Sequence, residues 1–298
     1  MAHPARRHPA NVPGPWFVDD TCIDCDVSRQ CAPTIFAEVD GQSVVVRQPE
    51  TPAERTEAAR ALLCCPTGSI GVTGPKPDFE GVLPFEIDDG VYLCGYNSRD
   101  SFGANAFFVR RTEGNLLVDA PRYVAGLAQR LRELGGIAEV LLTHRDDVAD
   151  AARYAEAFGA RVWIHADDRD AAPFATNLLR GRETTIIRPG LRALPVPGHT
   201  RGSVVYHLEE RYLFTGDSLH WSRERGDLGA FRDACWYSWE EQTESLARLI
   251  DVPFEWVLAG HGDRRRRPAT EMRARLTRLV ERMRQTTRGG ASTDDSAW

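Results

Sequence analysis

Four short apolar runs in the second half of the chain each end at a residue type that commonly binds metal ions. The four residues, each with the run that precedes it, are His144 after EVLLT, His199 after RALPVPG, Asp217 after RYLFTG and His261 after EWVLAG. Runs of this length and composition predict strands, and Gly198, Gly216 and Gly260 permit a sharp turn at three of the strand ends. Loops on a rigid scaffold bring residues from distant parts of a sequence together. The pattern therefore predicts a metal site, and imidazole together with carboxylate suits zinc, iron or manganese.

The order of strand-like and helical patterns predicts an α/β fold from about Leu83 onward. Short apolar runs separated by glycine, aspartate and asparagine come first, and they are typical of antiparallel strands. Helical periodicity then predicts helices near residues 123–134, 148–158 and 239–249, with a basic helix from about Ala269. Because strands dominate each half and helices separate them, we expect two sheets packed together with helices outside.

The stretches THRDD, PGHTRGS, FTGDS and AGHGD together resemble the motifs of the metallo-β-lactamase superfamily, over about residues 83–263. The resemblance implies an αββα sandwich and one or two divalent metal ions, either zinc or iron. It also implies that His199 binds a first ion, that Asp217 bridges two ions and that His261 binds the second.

The first motif departs from the family pattern, which is His-x-His-x-Asp-His. His144 matches the first histidine, and Asp146 stands where the second histidine, or an acidic residue in di-iron members, is found. A two-residue insertion would align Asp150 with the family aspartate. The ligands implied by the resemblance are then His144, Asp146 and His199 for one ion, and Asp150, Asp217 and His261 for the other. We expect Asp147 to cap the helix that begins near Val148.

A second constellation, made of cysteines, lies near the N-terminus. Cys22, Cys25 and Cys31, followed much later by Cys65 and a proline, resemble the ligands of single-cluster 4Fe–4S ferredoxins, over about residues 16–72. The third family cysteine follows the second by three residues, and here that position is Ser28. We expect Cys31 to be the ligand, because thiolate is the stronger ligand for iron. An oxygen ligand from Ser28, an incomplete cluster, a zinc-binding knuckle and a relic without metal are the alternatives.

Composition divides the chain into four expected parts. They are a Pro-rich disordered tail at 1–15, a small α+β ferredoxin-like Fe–S domain at 16–72, a metallo-β-lactamase-like domain at 79–268, and a C-terminal helix at 269–298 that ends in a disordered tail from about 288.

The leading functional hypothesis is a metal-dependent hydrolase. A metal ion lowers the pKa of its bound water and polarises a carbonyl or phosphoryl oxygen, so a metal-bound hydroxide attacks an ester, thioester, lactone or phosphodiester. Asp217 is the expected catalytic residue, because it holds the metal. His220, Trp221 and Arg223 are the expected substrate-binding residues, and they suit an anionic, partly aromatic small molecule.

Two other functions stay open. An iron centre that receives electrons through the Fe–S cluster would make the protein an iron-dependent oxidoreductase. No stretch resembles a flavin or nicotinamide site, so the electrons would come from a redox partner protein. The two departures from family motifs also allow a non-catalytic metal-binding sensor or scaffold.

Charge and hydropathy exclude two classes of partner. The net charge of -6 argues against a nucleic-acid-binding protein. No apolar stretch is long enough to span a bilayer, and the N-terminus lacks the apolar core of a secretory signal. We therefore expect a cytoplasmic protein, in which the seven cysteines are metal ligands or free thiols.

Overall fold

The computed structural model of the chain describes residues 2–289, and the side chains of residues 2–286. The chain divides into two compact units. The N-terminal unit comprises Met1–Arg110 and Pro121–Gly136, and the C-terminal unit comprises Arg111–Ala120 and Ile137–Trp298. The expected end of the C-terminal helix in a disordered tail lies mostly outside the described residues. No helix within residues 2–289 is long and apolar enough to cross a membrane.

Among the described residues, the N-terminal unit contains three α-helices and seven short strands. In chain order they are β1 (Trp16–Val18), α1 (Val27–Cys31), β2 (Phe36–Val39), β3 (Gln42–Val45), α2 (Pro52–Cys64), β4 (Ile70–Val72), β5 (Phe85–Asp88), β6 (Val91–Leu93), β7 (Phe107–Val109) and α3 (Ala125–Glu133). The pairs β1–β4, β2–β3, β5–β6 and β6–β7 are all antiparallel. Residues beyond the expected domain end at 72 belong to the same core, because Val82 and Leu83 are buried in one cluster with Trp16 and Ile70.

Residues 2–15 are packed onto the N-terminal unit, where the sequence predicts a disordered tail. The side chain of Asn11 is the anchor. Its carbonyl oxygen accepts hydrogen bonds from the backbone N–H groups of Val18 and Val45, at 3.0 and 2.9 Å, and its amide donates to the Val18 carbonyl. The Val12 N–H also donates to the Val45 carbonyl. Proline-rich composition misled the prediction, because Asn11 and further hydrogen bonds, such as that from the His8 N–H to the Val18 carbonyl, hold the segment.

Up to residue 289, the C-terminal unit contains twelve strands and three α-helices. In chain order they are β8 (Leu116–Val118), β9 (Glu139–Leu141), α4 (Ala151–Phe158), β10 (Arg161–His165), β11 (Asn177–Leu179), β12 (Thr185–Arg188), β13 (Leu191–Pro195), β14 (Val204–Leu208), β15 (Tyr212–Gly216), β16 (His220–Ser222), β17 (Asp227–Gly229), α5 (Trp239–Arg248), β18 (Trp256–Ala259), β19 (Arg265–Arg266) and α6 (Ala269–Gly289).

Two groups of strands form the framework of this unit. Strands β8, β9, β10 and β11 pair in parallel in that order. The second group is a mixed sheet with the order β12-β13-β14-β15-β18-β19. The two groups meet at the end of β9, where the Val204 N–H donates to the Thr143 carbonyl at 2.8 Å and the Tyr206 hydroxyl donates to the Leu142 carbonyl at 2.9 Å.

Helices cover the mixed sheet on its other side. The apolar cluster there joins Leu213 and Val257 of the sheet to Leu246 of α5 and to Leu276 and Val280 of α6. Helix α4 packs on β9. The C-terminal unit thus has two sheets between helices, which is the layered arrangement expected from the sequence.

Candidate metal centre and cysteine cavity

The four strand-end residues converge in the C-terminal unit. His144 lies three residues after β9, and His199 lies in the loop from β13 to β14. Asp217 follows β15 directly, and His261 lies two residues after β18. Strands β15 and β18 are parallel neighbours with Gly216 opposite Ala259, so the residues that follow both strands emerge at the same edge of the sheet.

Two glycines are required for this convergence. Gly216 has a φ of +49°, and a Cβ there would lie 2.4 Å from Oγ1 of Thr143. A Cβ at Gly260 would lie 2.8 Å from carboxylate oxygens of both Asp147 and Asp217. Any side chain at these positions would displace the site residues, which is the physical reason for glycine beside them.

The ligand atoms form two groups that share Asp217. One group is His144, His199 and Asp217, the other is Asp147, Asp217 and His261, and within each group the atoms lie within 4.8 Å of one another. Oδ2 of Asp217 is 3.6 Å from Nε2 of His144, 3.6 Å from Nε2 of His199 and 3.9 Å from Nε2 of His261. The shared carboxylate therefore lies between the imidazoles of the two groups.

Several of these buried atoms make no hydrogen bond to any described residue. They are Nε2 of His144, both ring nitrogens of His199, both carboxylate oxygens of Asp147 and Oδ1 of Asp217. Buried polar atoms in native proteins nearly always have a partner. A cluster of such atoms, all of types that bind zinc or iron, fits the metal ions that the sequence resemblance implies.

The first motif is arranged differently from the expectation. Asp147, expected to cap a helix, is 1% exposed and belongs to the second ligand group. Asp150, expected to be a ligand, is the residue that precedes α4, lies 3.8 Å from the guanidinium of Arg153, and is in neither ligand group of the described residues. The helix begins at residue 151 rather than 148, so Asp150 stands at the N-cap position, although its side chain makes no capping hydrogen bond.

Asp146 lies at the edge of the first group, as expected. Its Oδ2 is 3.3 Å from Nε2 of His199 and 3.9 Å from Nε2 of His144, and its side chain is 43% exposed. The carboxylate can therefore reach an ion held by the two histidines while it remains open to solvent.

A buried network fixes the orientation of His144. The backbone N–H and the hydroxyl of Thr143 both donate to the carboxylate of Asp119, at 2.8 to 3.0 Å. The Thr143 hydroxyl oxygen is also 3.0 Å from Nδ1 of His144. Because the hydroxyl proton is directed at Asp119, the oxygen accepts from Nδ1–H. The lone pair of the neutral ring is then on Nε2, the nitrogen that faces Asp217.

The electrostatics of the site favour a bound cation. Burial, followed by the charge of Asp217, raises the pKa of Asp147 well above its usual range. Burial alone would lower the pKa of His144, but Asp147 and Asp217 raise it to about 10. Burial would raise the pKa of Asp217, yet the charges of His261, His144 and His199 outweigh it and hold that pKa below its usual range. The carboxylates thus need positive charge beside them, which a metal ion supplies.

The three residues expected to bind substrate are engaged in packing and ion pairs. His220 stacks on Phe231, with ring centroids 3.8 Å apart. Trp221 is 2% exposed, and the guanidinium groups of Arg265, Arg267 and Arg275 lie about 5 Å from its ring. Arg223 forms a bidentate ion pair with Asp263.

An exposed aromatic pair beside His199 was not anticipated from the sequence. Trp236 is 67% exposed and Tyr237 42% exposed, and the backbone N–H groups of both donate to the His199 carbonyl. The Trp236 ring lies 6.1 Å from the His199 ring, and the guanidinium of Arg201 lies 5.9 Å from the Tyr237 ring. The segment DACWYSW, with two aromatic residues in a row before a helix, was the available indication.

The N-terminal unit contains a small cavity lined by three of the four expected cluster ligands. Its lining side chains include Cys22, Cys25, Cys65 and Ser28, together with Ser43. Cys31 is not among the described residues that line it. It lies at the end of α1, in the buried cluster that also contains Cys25 and Cys65.

The cavity thiols lie close to one another and accept backbone hydrogen bonds. The Ser43 N–H donates to Sγ of Cys22 at 3.4 Å, and the Ser69 N–H donates to Sγ of Cys65 at 3.3 Å. Burial, with the nearby thiols of Cys65 and Cys22, raises the pKa of Cys25 to about 12, although the Val27 N–H opposes this rise. Buried thiols that accept N–H hydrogen bonds are the environment in which iron–sulfur clusters are held, so this donor set fits the implied group.

Comparison with known proteins connects both regions to families. Residues 18–72 match the family described as the 4Fe-4S single cluster domain of Ferredoxin I, and residues 89–281 match the Metallo-beta-lactamase superfamily. The uncharacterized protein YmaE of Bacillus subtilis is 27% identical over 186 residues, which are 60% of this chain and 63% of that protein. A hydroxyacylglutathione hydrolase of Cereibacter sphaeroides is 39% identical over 110 residues, which are 35% of this chain and 42% of that enzyme.

Known structures agree on the fold. The crystal structure of the DIM-1 metallo-β-lactamase aligns with a TM-score of 0.52 and 19% identity, over 66% of this chain and 95% of that one. At this identity the likeness concerns the fold alone. The chain spans less than two thirds of the length of the two relatives named above. Because the superfamily match covers well over half of the 298 residues, the chain belongs to the metallo-β-lactamase superfamily, and its fold is the mixed α/β fold of that family.

Proposed function

We propose that the protein is a metal-dependent hydrolase that cleaves an acyl ester or thioester with two metal ions. The observation that carries the proposal is the pair of ligand groups that share Asp217. His144 and His199, with Asp146 beside them, would hold one ion, and Asp147 and His261 would hold the other. The name of the hydroxyacylglutathione hydrolase relatives supports the reaction class, because it denotes hydrolysis of an acyl group from a thiol compound.

When bound, divalent ions at this site supply Lewis acidity, which activates water as a nucleophile and polarises the substrate carbonyl. The protein residues position and balance that chemistry. Asp217 is buried and anionic, so it ties the two ligand groups together. Thr143 and Asp119 keep Nε2 of His144 directed at the shared carboxylate. Asp146 is half exposed and within 3.3 Å of His199, so it is the ligand that can shift when substrate enters.

The surface beside His199 supports a substrate with an anionic and partly apolar group. Trp236 offers an exposed aromatic face 6.1 Å from the His199 ring. The Arg201 side chain is 68% exposed, with its Nε 3.8 Å from the carboxylate of Asp167. An aromatic face next to a cation binds a flat or apolar group and a carboxylate at the same time. These residues replace His220, Trp221 and Arg223 in the proposal.

A substrate panel with a matched pair of variants tests the proposal. Purified protein is assayed on ester, thioester, lactone and phosphodiester substrates, alongside Asp217→Ala and Asp150→Ala. We expect hydrolysis of thioesters or esters by the native protein and by Asp150→Ala, and background rates for Asp217→Ala. No hydrolysis of any substrate by metal-loaded native protein would contradict the proposal, and so would equal rates for the two variants.

We also propose that the N-terminal unit holds a 4Fe–4S cluster, with Cys22, Cys25 and Cys65 as thiolate ligands. The match of residues 18–72 and the cavity with its backbone N–H donors support this proposal. Protein purified without oxygen is expected to be brown and to contain acid-labile sulfide. A colourless preparation free of sulfide after anaerobic reconstitution would contradict it.

A second candidate function is an iron-dependent oxidoreductase that receives electrons through the cluster from a partner protein. The observation that favours it is the high proportion of carboxylates at the metal centre. Three carboxylates, those of Asp146, Asp147 and Asp217, lie close to three histidines. Oxygen ligands favour harder metals such as iron or manganese over zinc. Metal analysis separates the two candidates: zinc at the centre with hydrolysis supports the first, whereas iron there with electron transfer from the reduced cluster and no hydrolysis supports the second.

A further inference from the structure

Three cysteines and four hydroxyl residues are among the residues that line the cysteine cavity: Cys22, Cys25 and Cys65, with Ser28, Ser43, Thr67 and Ser69. Of the four hydroxyl residues, Ser28 alone stands at the sequence position of the third family cysteine. Ser28, three residues after Cys25, lines the cavity and is 7% exposed. Cys31 lies three residues further on in α1, and it is not among the described residues that line the cavity. The arrangement therefore differs from the expectation that Cys31 replaces the missing thiolate.

We propose that Ser28 Oγ is the fourth ligand of the cluster, so that three irons are held by thiolates and one by oxygen. The inference rests on the cluster proposed above and goes beyond it, because it concerns which side chain of this chain completes the site. On binding, an iron–oxygen bond forms, the O–H bond of Ser28 breaks and the proton leaves to solvent. No electron is transferred.

A buried hydrogen-bond chain behind Ser28 stabilises an oxygen ligand. The Ser28 hydroxyl donates to the Ser43 oxygen at 2.9 Å, and Nη1 of Arg29 donates to the same oxygen at 2.9 Å. Because the Ser43 oxygen already accepts from Arg29, its own proton is available to Ser28 once Ser28 loses its proton. The guanidinium positive charge thus lies one hydroxyl away from the proposed ligand.

The arginine is itself held in place by buried acids. Its Nε donates to Asp26 at 2.6 Å and its Nη1 to Asp24 at 2.7 Å. Arg29 is 6% exposed and Asp26 is 2% exposed. The two carboxylates balance the guanidinium charge, so Arg29 acts on Ser28 through the hydrogen bond to Ser43.

The iron bound by Ser28 is expected to differ from the other three irons of the cluster. Oxygen is a harder donor than thiolate and binds cluster iron less firmly. One iron of the cluster is therefore spectroscopically distinct from the other three, and it is the first to be lost on oxidation or chelation, which leaves a three-iron cluster.

Four proteins test the assignment after anaerobic reconstitution of the full chain: native, Ser28→Ala, Ser28→Cys and Cys31→Ala. The readouts are iron and acid-labile sulfide content, EPR of the oxidised protein and Mössbauer spectra, with circular dichroism to verify folding. We expect native protein and Cys31→Ala to have the same four-iron cluster. Ser28→Ala is expected to lose about a quarter of the cluster iron and to show the EPR signal of a three-iron cluster. Ser28→Cys is expected to retain its iron longer than native protein in the presence of a chelator.

The other outcomes overturn the proposal. Loss of iron in Cys31→Ala with no change in Ser28→Ala assigns the ligand to Cys31. No change in either variant assigns the fourth ligand to solvent. Both of these results leave the proposal of a bound cluster intact. Absence of sulfide from native protein would overturn the proposed cluster and the Ser28 ligand together. If folded Ser28→Ala binds no cluster, Ser28→Cys decides: a change of one iron site in its Mössbauer spectrum upholds the proposal, and a spectrum identical to native overturns it.

Discussion

The cysteine cavity and the candidate metal centre bring their donor atoms together in different ways. The cavity takes its sulfur donors from one short loop and one distant turn, and backbone N–H groups donate to the thiols. The metal centre takes nitrogen and oxygen donors from four strand ends, and side chains such as Thr143 and Asp119 orient them. Both depart from a family motif, yet the departures have different consequences.

In the cavity, the departure places a hydroxyl where the family has a thiol: Ser28 lines the cavity, and Cys31 is not among the described residues that line it. In the metal centre, the departure concerns which acid lies near Asp217 and His261: among the described residues, Asp147 belongs to that group and Asp150 does not. The following changes test this contrast, in order of decreasing expected effect.

Asp217→Ala should have the largest effect, because both ligand groups share this carboxylate. We expect loss of both ions from the C-terminal unit and background rates of hydrolysis. The cluster in the N-terminal unit should be unaffected, which the visible spectrum and sulfide content would verify. Loss of sulfide in this variant would contradict the expectation that the cluster does not depend on Asp217.

Asp147→Asn should remove one of the two ions, and Asp150→Asn serves as the matched control. The change is the same in both variants, but only Asp147 belongs to a ligand group. Metal analysis after dialysis should find about one ion fewer per chain in Asp147→Asn and no change in Asp150→Asn. The reverse result would restore the alignment that the sequence predicts.

Trp236→Ala should weaken substrate binding and leave the metal in place. Loss of one aromatic contact of about 0.5–1.5 kcal/mol should raise KM roughly two- to tenfold with little change in kcat. Ile186→Ala removes another exposed apolar side chain of the same unit, 73% exposed, and should change neither constant. Equal KM values for Trp236→Ala and native protein would exclude this face from substrate binding.

Thr51→Ala should have the smallest effect, confined to the stability of the N-terminal unit. Thr51 and Glu54 form a capping box at the start of α2, and its loss costs about 1 kcal/mol. Thermal unfolding should report a lower midpoint, with unchanged metal content in the C-terminal unit. Thr56→Ala, in the same helix but away from the cap, is the control, since its hydroxyl donates only to the Pro52 carbonyl.

The sequence alone was sufficient for the fold class and for the convergence of the four strand ends. Apolar runs that end in glycine and a metal-binding residue carry that information locally, and the parallel pairing of β15 with β18 brings two of the ends together. The local sequence does not indicate whether Asp147 or Asp150 lies near Asp217 and His261. The choice depends on the backbone of the loop, where Ala149 has a φ of +38° and α4 begins two residues later.

Tertiary packing also decided the other differences. The sequence predicts Cys31 as an iron ligand because thiolate is the stronger ligand, but Cys31 lies at the end of α1 and is not among the described residues that line the cavity. The sequence predicts a disordered tail at residues 1–15 from its composition, but hydrogen bonds of Asn11 and of several backbone groups hold residues 2–15. Trp236 and Tyr237 stand beside His199 through backbone hydrogen bonds that no local pattern indicates.

The most direct test of the central claim is a crystal structure of the metal-loaded protein with anomalous scattering recorded at the absorption edge of the bound metal. We expect two peaks in the C-terminal unit on either side of Asp217, one next to His144 and His199 and one next to Asp147 and His261. A peak next to Asp150, or no peak in contact with Asp217, would contradict the proposed two-ion site.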